Sequence, residues 1–256
     1  MKLHILGSCS GTEPMPGRHH TSFVLERNGG LYWFDAGENC AFAAHTGGLD
    51  LLASRKIIIS HTHMDHVGGL GNLLWTIRKL NGSSHRFSGK TLELFTPDAR
   101  LWTAAHDLLA LTEGGFVCDF TVAAREFQDG VLFSEDGLTV TALHTRHLPH
   151  EDGAPWRAFG FLIEADGKRI VYTGDTSGYD DYAPLLPCDL LLHESGHHSP
   201  AAVAQRLLNE GKAPALLGFI HHGRAILDRY DEQRAALDAL PGIRARIFDD
   251  GDTITL

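Results

Sequence analysis

The sequence predicts an α/β protein, because strand-like and helix-like segments alternate along all 256 residues without a long linker or an internal repeat. Hydrophobic residues make up 43% and charged residues 21%, which is ordinary for a globular protein with a substantial core. Two sheets packed face to face with helices outside would bury every apolar face. We therefore expect a single domain over residues 1–256. A four-layer αββα sandwich is one of the α/β folds that this spacing of strands and helices allows.

The predicted strands are short runs, several of them rich in β-branched or aromatic residues. They are Lys2–Leu6, Ser22–Glu26, Leu31–Phe34, Ile57–Ser60, Leu92–Phe95, Leu138–Thr145, Phe159–Glu164, Ile170–Thr173, Leu190–His193 and Leu216–Ile220. Asp166 and Gly167 stand between two of these runs and predict a tight hairpin turn.

The predicted helices lie between the strands. In Gly69–Leu80 the apolar residues Leu70, Leu73, Leu74 and Ile77 have helical spacing. Similar patterns predict helices over Asp98–Leu111, Ala201–Asn209 and Asp231–Leu240. Pro97 and Pro200 stand where helices commonly begin.

Charge and cysteine content exclude several classes of protein. The formal net charge is −10 and no dense Lys/Arg block occurs, which disfavours long nucleic acids as partners. The four cysteines form no C-x-x-C pair, which argues against a disulfide framework and a thiolate zinc site. No apolar run approaches the ~20 residues that cross a bilayer, and residues 1–7 do not resemble a signal peptide. We expect a cytoplasmic protein that does not bind membranes.

The histidines carry the strongest functional signal. There are 17, and three of them lie in the run His61-Thr62-His63-Met64-Asp65-His66, directly after an apolar strand. Strand side chains alternate, so His61 and His63 project together, and the following turn presents Asp65 and His66. Imidazole and carboxylate ligands suit zinc, with Mn²⁺ or Fe²⁺ as alternatives.

An H-x-H-x-D-H run after a strand resembles the signature of the metallo-β-lactamase superfamily. Other motifs extend the resemblance over nearly the whole chain and are most similar to the branch containing ribonuclease Z and related phosphodiesterases. These are Leu6-Gly7-Ser8, Phe34-Asp35-Ala36-Gly37-Glu38, Thr173-Gly174-Asp175-Thr176, His193-Glu194-Ser195 and Ile247-Phe248-Asp249-Asp250-Gly251. The resemblance implies the αββα fold and a metal-dependent hydrolase.

The resemblance also implies two metal ions, expected to be zinc. His61, His63 and a later histidine would bind one ion, Asp65, His66 and a final histidine the other, and Asp175 would bridge both. Two such ions lower the pKa of a shared water from about 15.7 toward about 7.

Two of the implied ligands remain choices between neighbouring histidines. We favour His147 over His144, because the ligand belongs at the end of the predicted strand rather than within it. We favour His221 over His222, because His221 directly follows an apolar run and His222 would point the other way.

Catalytic roles are implied for three residues. Asp65 binds metal and orients the nucleophile. Glu194 and His198 are the candidate pair that donates a proton to the leaving group, although their separation along the chain is shorter than in the ribonuclease Z branch. The alternative is that Glu194 and His197 are loop residues that bond nearby backbone.

The interval 161–173 is a bare hairpin, where ribonuclease Z carries a long arm that grips tRNA. The chain instead has an extended loop after His147, in which Trp156 and Arg157 could contact an aromatic or anionic substrate. The alternative is a solvated loop with Trp156 in the core. His20 is a further candidate for the substrate pocket.

The leading functional hypothesis is a phosphodiesterase for a small phosphodiester, such as a cyclic nucleotide or a modified sugar phosphate. The alternatives are an acyl hydrolase for a lactone, thioester or β-lactam, a ribonuclease Z-type endonuclease that processes tRNA 3′ ends, and a metal-binding sensor without turnover. The expected partner is a small phosphodiester or ester, and a homodimer is compatible with the sequence.

Overall fold

The computed structural model describes residues 1–256 and divides the chain into two compact units. Unit 1 comprises Met1–Gly7, Pro14–Phe127 and Asp250–Leu256, and unit 2 comprises Ser8–Glu13 and Gln128–Asp249. Each unit contains one seven-stranded sheet with helices, which confirms the predicted α/β class. The expectation of one domain over the whole chain stays a prediction.

Fourteen strands form the two sheets. They are β1 (Lys2–Gly7), β2 (Ser22–Arg27), β3 (Gly30–Phe34), β4 (Ser54–Ile58), β5 (Thr91–Thr96), β6 (Thr121–Glu126), β7 (Gly130–Glu135), β8 (Leu138–His144), β9 (Phe159–Ala165), β10 (Lys168–Tyr172), β11 (Leu190–Ser195), β12 (Leu216–His222), β13 (Ala245–Ile247) and β14 (Thr253–Thr255).

Eight α-helices accompany them, and short 3₁₀ turns cover Leu51–Ala53 and Ala183–Leu185. The helices are α1 (Cys40–Thr46), α2 (Met64–Val67), α3 (Leu70–Ser84), α4 (Arg100–Thr112), α5 (Tyr179–Tyr182), α6 (Pro200–Asn209), α7 (Arg224–Leu227) and α8 (Tyr230–Asp238). None of these helices has the length and apolar character needed to span a membrane.

The sheet of unit 1 has the order β14-β1-β2-β3-β4-β5-β6. Strands β3 to β6 are parallel, while β14, β1, β2 and β3 pair antiparallel. The apolar stripe of α3 that the sequence predicts is buried in the core of this unit. Helix α3 continues to Ser84, four residues beyond its predicted end. Strand β4 is buried along most of its length, as expected for a central parallel strand, and delivers the chain to the metal-binding motif.

The sheet of unit 2 has the order β13-β12-β11-β10-β9-β8-β7, with β10 to β13 parallel and β7 to β10 antiparallel. The turn between β9 and β10 has positive φ at Asp166 (54°) and Gly167 (73°), as a two-residue hairpin requires. Helix α6 buries Val203, Ala204 and Leu207 in the core of this unit.

Besides the three-residue strands β13 and β14, strands β6 and β7 are absent from the sequence-based expectation. Their residues are mostly exposed or half-buried, so neither strand has the clean alternation of apolar and polar residues on which strand prediction depends. Both are edge strands, and pairing with β5 and β8 rather than burial of an apolar face accounts for their formation.

Candidate metal centre

The segment after β4 gathers nitrogen and oxygen donors within unit 1. The rings of His61 and His66 are fully buried, with centroids 4.0 Å apart, and the ring of His63 lies 4.6 Å from that of His61. The Oδ2 atom of Asp65 lies 3.5 Å from Nε2 of His66. The three imidazoles and the carboxylate of the predicted motif therefore converge in this unit.

Asp35 is a buried carboxylate to which the sequence analysis assigned no role. Its Oδ1 accepts a hydrogen bond from the Ser60 amide (2.7 Å), and its Oδ2 accepts from Ser60 Oγ (2.8 Å) and from His66 Nδ1 (2.8 Å). The residue is completely buried and has φ of 57°, which only a few per cent of non-glycine residues adopt. A carboxylate on Nδ1 holds a histidine in the tautomer whose Nε2 lone pair is available to a metal.

In unit 2, Asp175 follows β10 and presents its two carboxylate oxygens to two different histidines. Oδ2 lies 3.5 Å from Nε2 of His147, and Oδ1 lies 3.2 Å from Nε2 of His221. The side chain is 3% exposed, and Thr145 Oγ1 donates to the Asp175 carbonyl (2.7 Å), which holds the loop in place. A carboxylate with one imidazole beside each oxygen has the arrangement needed to bridge two cations.

The structure places the neighbouring histidines differently. His144 donates its amide to Asp129 and pairs with the same carboxylate through Nδ1, both at 2.6 Å, while His147 lies beside Asp175. His222 is engaged at both nitrogens, Nδ1 with Ser195 Oγ (2.9 Å) and Nε2 with the Phe248 carbonyl (2.7 Å).

His221, by contrast, approaches Asp175 and has φ of 53°. Gly196 packs closely against it, because a Cβ at residue 196 would lie 2.7 Å from Nδ1 of His221. The geometry of unit 2 thus favours His147 and His221 as ligands.

Glu194 is fully buried near the end of β11 and makes two polar contacts with His197. Its Oε2 accepts from the His197 amide (2.9 Å), and its Oε1 pairs with His197 Nδ1 (3.0 Å). Burial raises the pKa of Glu194, but the hydrogen bond from His197 and the nearby His221 outweigh this effect and hold the pKa below its usual range. Burial of its own ring lowers the pKa of His193 to about 4.

His198 is the partner of Glu194 that the sequence predicts. Its Nε2 lies 3.4 Å from Glu194 Oε1 but closer, at 2.9 Å, to the Thr176 carbonyl oxygen. His197 also lies near the metal-ligand candidates of unit 2. Ligand atoms of Asp175, His197 and His221 lie within 4.8 Å of one another and could hold a cation.

Comparison with known proteins identifies the family. The model of the anti-Pycsar protein Apyc1 family matches residues 1–203, well over half of the chain. The chain belongs to the Apyc1 family. A curated relative of this Apyc1-family chain is ribonuclease Z from Mycolicibacterium paratuberculosis, 27% identical over 205 residues. The match covers 72% of the chain and 66% of that relative, so the chain spans about two thirds of its length.

Solved structures show the fold. The short form of human tRNase Z (ELAC1) covers 100% of the chain and 99% of its own length, at TM-score 0.76 and 23% identity. The metallo-β-lactamase fold protein YhfI from Bacillus subtilis covers 99% and 98%, at TM-score 0.74 and 21% identity. The Apyc1-family chain therefore has the predicted metallo-β-lactamase fold, and the resemblance to the ribonuclease Z branch is confirmed.

Trp156, a predicted substrate contact, lies between two histidine rings. The rings of His144 and His150 stack on it at 3.9 Å and 3.7 Å, nearly parallel, and two rings that close to one centroid must occupy opposite faces. The Gln128 side chain bonds both the amide and the carbonyl of Trp156 (2.9 and 3.0 Å). Both faces are covered, which leaves the indole edge rather than a stacking face for a substrate.

The two other substrate candidates are polar and half-buried. Arg157 follows Trp156 in the same loop of unit 2. His20 lies in unit 1, where Glu38 Oε2 pairs with its Nδ1 (2.6 Å) and accepts its amide (2.8 Å). Their role in binding substrate stays a prediction.

We expect the Asp35→Asn variant to bind zinc roughly 10- to 100-fold more weakly, because loss of a carboxylate behind a metal ligand typically has this effect. Chelator competition measures the affinity, and denaturant unfolding in EDTA measures the stability of the metal-free chain. Asp107→Asn, at an exposed carboxylate of α4, is the matched control. Unchanged zinc affinity in a folded Asp35→Asn protein would contradict the orienting role.

Proposed function

We propose that this protein is a dinuclear metal-dependent hydrolase that acts as a phosphodiesterase on a small phosphodiester, such as a cyclic nucleotide. The observation that carries the proposal is the Asp175 carboxylate, whose two oxygens each lie beside a different histidine. Such a residue is what a two-metal site requires between its ions.

The donor set fits zinc. As the family resemblance implies, His61, His63 and His147 would hold one ion, Asp65, His66 and His221 would hold the other, and Asp175 would serve both. Imidazole and carboxylate ligands suit Zn²⁺, with Mn²⁺ or Fe²⁺ as alternatives, and Asp35 supports His66 as such partners do. When bound, the ions would lower the pKa of a shared water and withdraw charge from the phosphoryl oxygens.

Two side chains of the protein would then act on the attacking water and on the leaving group. Asp65 orients the attacking water by accepting its hydrogen bond. His197, held by the buried Glu194, donates a proton to the leaving oxygen. His198, the donor expected from the sequence, is the less favoured choice, because its Nε2 lies closer to the Thr176 carbonyl than to Glu194.

A positioned proton donor supports an alkoxide leaving group, as in a cyclic nucleotide. The thiolate released from a thioester leaves without one. The motif order, which resembles the ribonuclease Z and phosphodiesterase branch, supports phosphorus over carbon as the attacked atom. Hydrolysis of an acyl substrate is therefore the second candidate function, with a lactone or a β-lactam favoured over a thioester.

Transfer RNA 3′ processing is the other candidate, because the curated relative is named ribonuclease Z. Two observations count against it: the net charge of −10 and the two-residue turn between β9 and β10, where that branch has its gripping arm. We therefore favour a small substrate over tRNA. We also propose that the protein is cytoplasmic.

The test is metal analysis of protein purified without added metal, together with a substrate panel. We expect close to two equivalents of zinc, and hydrolysis of 3′,5′-cyclic nucleotides and bis(p-nitrophenyl) phosphate that is abolished by EDTA and restored by Zn²⁺. A chromogenic lactone, a cephalosporin and a tRNA precursor complete the panel. Preferential turnover of one of these three substrates would replace the phosphodiesterase proposal with the corresponding activity. Metal-loaded protein that hydrolyses no substrate of the whole panel would favour a sensor.

A further inference from the structure

Asp181, in helix α5 of unit 2, is a buried carboxylate with an unusually large set of donors. Its side chain is 2% exposed, although its neighbour Asp180 is 78% exposed. Five hydrogen bonds reach its two oxygens, and they come from two different loops.

The first loop follows β8 and carries His147. Arg146, the residue before this histidine, donates its amide to Oδ2 (3.1 Å) and its Nε to Oδ1 (2.9 Å) of Asp181. Both bonds come from one residue, so they fix the backbone and the side-chain direction at the position next to the proposed ligand.

The second loop follows β10 and carries Asp175. Thr176 Oγ1 donates to Asp181 Oδ2 at 3.0 Å, and Ser177 donates to the same oxygen through its amide (2.8 Å) and its Oγ (3.0 Å). One oxygen of Asp181 thus receives bonds from both loops.

The carboxylate is held in its ionised form. Burial raises the pKa of Asp181, but the hydrogen bonds from Arg146 and Ser177 outweigh this effect and hold the pKa below its usual range. A buried carboxylate with charge-assisted donors fixes their positions more firmly than neutral groups do.

We propose that Asp181 is a positioning residue that sets the separation between His147 and Asp175, and thereby the affinity of the site for metal. The inference rests on the proposed function, since it concerns two of the ligands assigned above. Asp181 itself contacts neither the ligand atoms nor the substrate. It acts on the residue before one ligand and on the two residues after the other.

The experiment compares Asp181→Ala, Asp181→Asn and the control Asp180→Asn. Zinc affinity is measured by chelator competition, and the visible spectrum of the Co²⁺-loaded protein reports the geometry around the ions. Unfolding in EDTA measures the stability of the metal-free chain separately. We expect Asp181→Ala to bind zinc at least about tenfold more weakly, with a changed Co²⁺ spectrum.

Asp181→Asn keeps one oxygen but cannot accept from Arg146 and Ser177 equally well, so its affinity should lie between those of Asp181→Ala and the wild type. Asp180→Asn should match the wild type. If Asp181→Ala does not fold, the same comparison is made with Asp181→Asn alone.

Wild-type affinity and an unchanged Co²⁺ spectrum in folded Asp181 variants would overturn the inference, even if their metal-free forms were less stable, and would leave the proposed function intact. A wild-type protein that binds none of Zn²⁺, Co²⁺, Mn²⁺ and Fe²⁺ would overturn the proposed function and the inference with it.

Discussion

The Asp175→Ala variant is expected to lose bound metal and to hydrolyse phosphodiesters at least about 1000-fold more slowly, a loss of roughly 4 kcal/mol of transition-state stabilisation. The reason is geometric. A single carboxylate lies beside both His147 and His221, so its removal takes a ligand from each proposed ion at once. Metal content by mass spectrometry and kcat on bis(p-nitrophenyl) phosphate measure the effect.

Two variants complete this test. Asp175→Asn keeps the side-chain volume but removes the charge, and it should also lose metal. Asp152→Ala, at an exposed position of the loop after His147, should keep both metal and turnover. Two equivalents of metal and full turnover in Asp175→Ala would remove the bridging assignment.

The His197→Ala variant is expected to separate substrates by their leaving groups. Turnover of a 3′,5′-cyclic nucleotide should fall roughly 10²- to 10⁴-fold, because its alkoxide oxygen needs a proton as the bond to phosphorus breaks. Bis(p-nitrophenyl) phosphate releases a weakly basic phenolate that leaves without one, so its kcat should fall by less than about tenfold. The ratio of the two rates is the measurement.

His198→Ala is the matched comparison, since the adjacent histidine has its Nε2 at the Thr176 carbonyl. Its two rates should change by the same small factor. Equal losses on both substrates in His197→Ala, together with reduced zinc content, would instead make His197 a metal ligand. A leaving-group effect in His198→Ala alone would restore the pair expected from the sequence.

Much of the fold was predictable because its signals are local. The stripe of Leu70, Leu73, Leu74 and Ile77 predicts α3, and the Asp166-Gly167 pair predicts the turn between β9 and β10. The short helix α1 was not predicted, since seven residues provide too few turns for a periodic pattern. Strands β6 and β7 were missed because pairing with a neighbour, rather than their own apolar faces, stabilises them.

The candidate site likewise has a part that a local sequence pattern predicts and a part that it does not. The motif from His61 to His66 is contiguous, so its convergence in unit 1 could be expected from strand geometry and the following turn. Asp35 reaches His66 across 31 residues and Asp181 reaches Arg146 across 35, so no local pattern connects either carboxylate with its partner. The choice of His197 over His198 depends on backbone direction after Gly196, which the sequence does not reveal.

The pairing of β1 with β14 determines the order in which the sheet of unit 1 can be completed. Residues 2–4 pair with residues 253–255, so β1 is synthesised long before its partner strand β14. All the strands of unit 2 are synthesised in between. Until then β1, with the apolar residues Leu3 and Ile5, has an open edge that nascent chains on neighbouring ribosomes could join. The three-residue strand β14 covers that edge of β1 once it has been synthesised.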